Sequence, residues 1–303
     1  MSTNPQTTQT AGKTASGLTW KAEEAHKRKK KFFRASRLTG YTILILLTLS
    51  SIFPLVWMIL MSLKERSETY SGSFIPQKVT LSAYAFVFQT MKMNLYMWNS
   101  IKITLATVAV VVFLSTLSGY AFARVEFRGK QLIFLVLLST LMLPATVLII
   151  PLFLQLRDMG LIDNQIGLIL AYIGGGLPFS MFLMRSFFQT LPAELVDAGR
   201  IDGASEFGIF WLIMLPLAKP GIATITIFQF MGTWNEFIFA ATFLHDPAIR
   251  PLQPSLFALV GRYSTNWPAL TASLTISLIP IVLVYLLMQK QFVAGLTTGA
   301  IKG

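Results

Sequence analysis

Cysteine is absent from these 303 residues, which excludes disulfides and thiol chemistry. Histidine is nearly absent. His26 and His245 both fall outside the apolar stretches, so zinc motifs and imidazole acid–base chemistry within a membrane are excluded. Charge is scarce too: Asp, Glu, Lys and Arg make up 13% of the chain, against about 25% in soluble proteins. A phosphate-binding G-x-x-x-x-G-K-[ST] loop is missing, because Gly129-Lys130 is followed by Gln131 and lacks the upstream glycine. ATP has no route to the chain through such a loop. Gly174-Gly175-Gly176 lacks nucleotide-loop spacing as well and reads as a helix kink or a close-packing site.

Hydrophobic residues account for 54% of the chain. They gather in six stretches, 41–63, 101–123, 132–150, 166–187, 221–243 and 269–288, each close to the roughly 20 residues that a helix needs to cross a hydrocarbon core. Lipid offers the backbone no hydrogen-bonding partners, so these are expected to be helices, giving an all-α integral membrane protein with six transmembrane helices. Pro144 and Pro151 should bend or break the third stretch, and Pro178 and Pro280 should interrupt two others. The first stretch is longer than a signal-peptide core and no small-residue cleavage site follows it, so it is expected to stay in the mature protein.

The net charge of +12 is distributed as topology demands rather than as a nucleic-acid surface. Nine basic residues, from Lys13 to Arg37, precede the first stretch and hold the N-terminus in the cytoplasm by the positive-inside rule. Six crossings return the C-terminus to the same side, and the 25 basic residues then divide 17 inside to 8 outside. Residues 1–39 are therefore expected to form a basic, largely disordered cytoplasmic tail, and 40–303 the membrane domain, with a cytoplasmic C-terminal tail at about 289–303.

The inner loop at about 190–219 is much richer in charge than the spans beside it. Pro192 suits a first helical turn, and Glu194, Asp197, Ala198 and Ile201 recur at i, i+3, i+4 and i+7, so they share a helical face. Asp202-Gly203 is a turn signal. Ser205, after Ala204, can cap a second helix through Phe207, Phe210 and Trp211. The result is a helix-turn-helix knob with an apolar and acidic surface, and such a surface needs a partner groove.

These residues resemble a family motif. Permeases of binding-protein-dependent ABC importers carry the EAA motif in this inner loop: EAA, three residues, G, nine residues, I-x-L-P. Here Asp197-Ala198-Gly199 stands at the EAA positions, Gly203 follows after three residues, and nine more lead to Ile213, Leu215 and Pro216. Asp197 replaces the usual Glu and shortens its reach, while Gly199 replaces the second Ala, at a helix cost of ~1 kcal/mol. Asn99-Ser100 and the segments 118–124, 234–237 and 295–303 are similar to the maltose-permease-like sugar branch. The resemblance implies a type I ABC importer permease fold in a bacterial cytoplasmic (inner) membrane. It also implies pairing with a second, unlike permease subunit, two ATPase subunits that bind ATP and Mg, and an extracytoplasmic sugar-binding protein. This chain itself would bind no cofactor. Glu194, Asp197, Ala198, Gly199, Asp202, Gly203, Ala204, Phe207, Leu215 and Pro216 would then couple to the ATPase.

An ion-coupled secondary transporter or channel is the alternative. It needs ionisable groups within the bilayer, and only Glu236 lies well inside a stretch, with Lys102 near an interface. Glu236 either binds sugar hydroxyls or pairs across a subunit interface, or it simply sits near the outer headgroups, about 6 Å beyond mid-span. Phe228, Phe230, Trp234 and Asn235 share its stretch and join it as translocation-path candidates, since aromatic rings suit sugar faces. The outer loop 245–268, with Arg262, Tyr263 and Trp267, is a candidate contact for a binding protein or else a plain interhelical connection.

Overall fold

The computed structural model describes residues 37, 39–261 and 264–300, which form helices and loops. Arg262, Tyr263 and most of the expected basic tail lie outside the described residues. The chain divides into two units, Met1–Trp57 and Met58–Gly303. Helix α1 (Thr39–Ser62) supplies nearly all of the described part of the first.

The second unit contains α2 (Ser82–Gln89), α3 (Met93–Arg124), α4 (Lys130–Met142), α5 (Ala145–Asp158), α6 (Gln165–Thr190), α7 (Glu194–Ile201), α8 (Glu206–Leu217), α9 (Lys219–Asn235), α10 (Ile238–Phe243), α11 (Leu252–Leu256) and α12 (Trp267–Ala300). Among the described residues four helices, α1, α3, α6 and α12, are long and apolar enough to cross a membrane on their own, and the number reaches six if each of the bent pairs α4–α5 and α8–α9 counts as one span. The expected tail at 289–303 continues α12 as far as residue 300.

The third expected span, 132–150, is not one helix. α4 and α5 meet at 95°. Pro144 cannot donate to the carbonyl of Thr140, and its ring pushes Leu143 to an extended conformation (φ −85°, ψ 123°). α5 opens with a 3-10 turn (Ala145–Leu148), and Pro151 falls in the first turn of the α-helical part that starts at Ile149, where a missing N–H costs little. The fifth expected span, 221–243, is also divided: α9 ends at Asn235, Glu236 is extended (ψ 131°), and α10 begins two residues later. In contrast to expectation, α6 and α12 run unbroken through Pro178 and Pro280.

Helices α3 and α6 form the most extensive pairing in this unit. Their backbones approach so closely that a methyl group on Gly119 would lie 2.6 Å from Met184 Cβ and 2.9 Å from the Arg185 backbone nitrogen. Small residues at helix crossings allow this approach where lipid provides no hydrophobic drive for association. α9 packs onto the same pair: the Gln229 side chain occupies the space a side chain on Gly176 would fill, and the Phe187 ring does the same at Gly221. The close-packing reading of the glycine triplet thus holds at Gly176, and α6 does not break there. On the far side of α9, Phe230 and Trp234 join α2, α3, α11 and α12 in one core cluster.

Gly119→Leu is expected to block the α3–α6 contact, so the subunit should fail to accumulate in folded form. Gly119→Ala should cost about 1–3 kcal/mol as an overpacked contact. Membrane abundance and thermal unfolding of the purified protein check this. Wild-type behaviour of Gly119→Leu would refute the contact.

Candidate functional site

The knob forms where the spacing predicts it. α7 ends with Asp202 as its C-cap, Gly203 follows at φ +79°, and Ser205 Oγ accepts the N–H of Gly208 at 3.1 Å to start α8. A positive φ suits glycine because it has no Cβ to clash with the following carbonyl. Val196 and Gly199 face inward, and Gly199 lets α7 settle on α8, since a methyl there would meet Ile209 Cγ1 and Ile213 Cδ1 at 3.0 Å. The opposite face stays open. Glu194, Asp197 and Ala198 are exposed, and Ile201, Phe207 and Leu212 are 86%, 68% and 79% exposed. Of the remaining motif residues, Ala204 and Leu215 are half-buried and Pro216 is exposed.

Residues outside the motif fix the orientation of the knob. Arg200 Nε donates to Glu206 Oε1 at 2.7 Å across the Gly203 corner, and its Nη1 lies 3.4 Å from Asp197. Exposed pairs of this kind are screened by solvent, so they favour one corner geometry without holding the fold. Tyr120 in α3 donates to the other Glu206 oxygen at 3.4 Å, and its ring packs on Phe188 and Phe210. Arg124, one turn further along α3, donates to the carbonyls of Phe188 (2.7 Å) and Leu191, adding to the closing bond from the Leu191 N–H to the Phe188 carbonyl at 3.3 Å that ends α6. Within α8, residues Phe210–Met214 form a π-helical turn. It lies just before Pro216, whose missing N–H already disturbs the regular bonding there. The sequence reading used Tyr120 and Arg124 only within the 118–124 resemblance and Arg124 and Arg200 only as inner basic charges, and did not anticipate that these residues and Glu206 brace the knob, because spacing alone does not pair them.

The five translocation-path candidates separate. Trp234 is buried, stacks on Phe230 with ring centroids 5.6 Å apart, and donates from Nε1 to Ser277. Neither ring offers a free face. Phe228 and Asn235 are exposed, and with Met231 and Gly232 they form an i, i+3, i+4, i+7 stripe along α9. Glu236 sits in the break between α9 and α10. Its Oε1 accepts the N–H of Phe239 at 2.8 Å, and its Oε2 accepts the N–H of Ala240 at 3.1 Å and the hydroxyl of Tyr172 at 2.6 Å. The carboxylate caps α10, an alternative the sequence reading did not include. Of the outer-loop candidates, Trp267 opens α12 and is 38% exposed.

The loop before that helix is clamped from below. Asn99 Nδ2 donates to the carbonyls of Ala248 and Arg250, both at 3.0 Å, and Ser100 Oγ accepts from Leu252 N at 2.7 Å. Asp163 accepts from the backbone N–H groups of His245 and Asp246, which hold its carboxyl below the usual range. With a lowered native pKa, this clamp stays intact at neutral pH and weakens only as pH falls through that lowered value.

Comparison with known proteins places this geometry. Residues 111–298 match the family described as binding-protein-dependent transport system inner membrane component. The chain belongs to this family. The permease is 33% identical over 266 residues to the diacetylchitobiose uptake system permease protein NgcG of Streptomyces coelicolor, covering 87% of this chain and 88% of that one. It is 34% identical over 272 residues to the trehalose transport system permease protein SugB of Mycobacterium tuberculosis, covering 89% and 99%. Among solved structures, it matches a chain of a bacterial ABC transporter involved in the import of the acidic polysaccharide alginate, with a TM-score of 0.75, 27% identity and coverage of 86% and 97%. The permease is thus a membrane-embedded, non-enzymatic subunit of the type I ABC importer fold, and ATP hydrolysis resides in a separate subunit. Permeases of this family work with a second permease, ATPase subunits and a solute-binding protein. The ion-coupled carrier or channel reading is not favoured.

Removing the Glu236 cap should cost about 0.5–2 kcal/mol. Glu236→Ala is expected to lower the unfolding midpoint more than Tyr172→Phe, which leaves both backbone N–H groups capped. Equal midpoints for Glu236→Ala and wild type would show that the cap contributes nothing.

Proposed function

We propose that the permease carries carbohydrate, forming half of a translocation path and receiving the ATPase stroke through the α7–α8 knob. The observation that carries this reading is the solvent-open face of Glu194, Asp197, Ile201 and Phe207 on a knob braced from α3. Apolar area of that kind on a charged loop is stable in water only as an interface kept for a partner. Two ATPase subunits, each binding ATP and Mg, would take the knobs of this chain and of an unlike permease partner. Carbohydrate as cargo is supported by relatives named for diacetylchitobiose and trehalose and by the alginate importer. These cargoes differ in size and charge, so the reading extends to the class and not to one sugar.

Within the path, the exposed α9 stripe is the best-supported surface. Phe228, whose ring packs edge-on against Phe179 with centroids 6.0 Å apart, and Asn235, whose amide donates to the Met231 carbonyl at 2.9 Å, lie on this surface, while Glu236, Phe230 and Trp234 act structurally behind it. The knob side is assigned to the cytoplasm, together with both termini, on the 17-to-8 division of basic residues. The outer loop with Trp267, Arg262 and Tyr263 then faces the sugar-binding protein.

Gly203 provides the test. Nothing lies within 4 Å of where its side chain would start, so the penalty for substitution is the positive φ itself, about 1–2 kcal/mol. Gly203→Asp is expected to reach the membrane at normal levels yet lose carbohydrate uptake, through failure to co-purify the ATPase or to raise ATP hydrolysis with loaded binding protein. Gly203→Ala should be intermediate. Wild-type uptake, co-purification and stimulated hydrolysis in Gly203→Asp would overturn the coupling role.

A further inference from the structure

A cavity of about 480 Å³ opens beside the start of α4, lined by Glu126, Lys130, Gln131 and Leu132 on one side and Arg185 of α6 on the other. Two other large cavities have mainly apolar walls, whereas this one is polar and carries two cationic side chains. Arg185 is held rigidly. Its Nε donates to the Phe122 carbonyl at 3.3 Å and its guanidinium carbon lies 3.9 Å from the centre of the Phe134 ring. No hydrogen bond or ion pair among the described residues engages Nη1 or Nη2, so the flat, two-pronged end of the guanidinium is left for a ligand. Such a fork fits the paired oxygens of a phosphodiester. Lys130, across the cavity and with its side chain 18% exposed, is paired at 3.0 Å with Glu126, whose side chain is 89% exposed, so the carboxylate is the solvent-screened member and can swing away for a better-placed anion.

The surface running away from the cavity is apolar. Leu132, Leu135 and Val136 of α4 are half or more exposed. A cationic cleft at the end of an exposed apolar helix face has the two-part character of a phospholipid, with the headgroup in the cleft and the acyl chains along the helix. Arg124 ends α3, Lys130 begins α4 and Arg185 lies near the end of α6, so the cleft is at the knob end of the spans. On the topology given under Proposed function, on which this inference rests for its leaflet, that end meets the inner leaflet. Basic clefts between spans on that side suit anionic headgroups.

We propose that Arg185 and Lys130 form a binding site for one anionic phospholipid, with the headgroup phosphodiester between them and the acyl chains on the Leu132–Val136 face. A free phosphate would use the cations but not that face. The test uses the assembled transporter, titrated in detergent with short-chain phosphatidylglycerol. Arg185→Gln and Lys130→Gln should each weaken binding about fivefold, and Glu126→Gln, which removes the competing carboxylate, should strengthen it. A gain of binding cannot arise from misfolding. Phosphatidylcholine and millimolar inorganic phosphate should compete poorly. Unchanged affinity in all three variants, equal competition by phosphatidylcholine, or displacement by phosphate alone would each overturn the site. The leaflet is tested separately by Arg128→Cys in this cysteine-free chain, with an impermeant maleimide expected to label it from the cytoplasmic side. Labelling from outside would overturn the assigned topology while the titration still decided the lipid site.

Discussion

With no side chain at Gly119, the backbones of α3 and α6 meet directly, and the geometry of the knob follows from that contact. Tyr120 is the next residue, and it reaches Glu206 only because α3 lies this close to the end of α6. Arg124, one turn on, donates to the carbonyls of Phe188 and Leu191 and so fixes the point at which the chain leaves α6 for α7. A wider crossing would separate the span from the knob it braces. Force arriving at Ile201 or Phe207 would then be absorbed in a loose joint instead of reaching the spans.

A break inside a membrane span must satisfy its freed backbone groups locally, because lipid offers none. The two breaks described here do so differently. At the α9–α10 break a carboxylate, held by Tyr172, takes two N–H groups. At the α4–α5 break the end of α4 tightens into a 3-10 turn, and Ser139 and Thr140 turn their hydroxyls back to carbonyls of the preceding turn. A charged residue in the first case and small hydroxyl residues in the second thus serve the same requirement.

Much of this was legible in the sequence, and the failures have physical causes. Apolar length located the spans, and turn chemistry located both knob helices, because Gly203 and Ser205 act through local backbone geometry that needs no tertiary information. Pro144 and Pro151 signalled that the third stretch would bend or break, but hydropathy counts residues and cannot register direction, so the 95° angle was not legible. Trp234 and Phe230 looked like available sugar platforms because aromatic content does not reveal which face a neighbour covers; Ser277 and the α12 packing decide that. Glu236 was weighed as a ligand or an interfacial charge. Its role as a cap depends on a helix restarting at Ile238, which an unbroken apolar run conceals.

The π turn at Phe210–Met214 works as an angular offset. Each residue of an α-helix advances the azimuth by about 100°, and a five-residue turn absorbs one residue without that advance. Its upstream part, carrying Phe207, is therefore indexed against its downstream part by counting residues as well as by contact. Sequence changes that conserve the number of residues between Ser205 and Pro216 leave this dial setting alone. A single deletion would rotate the coupling face away from whatever it meets, even with every contacting side chain retained.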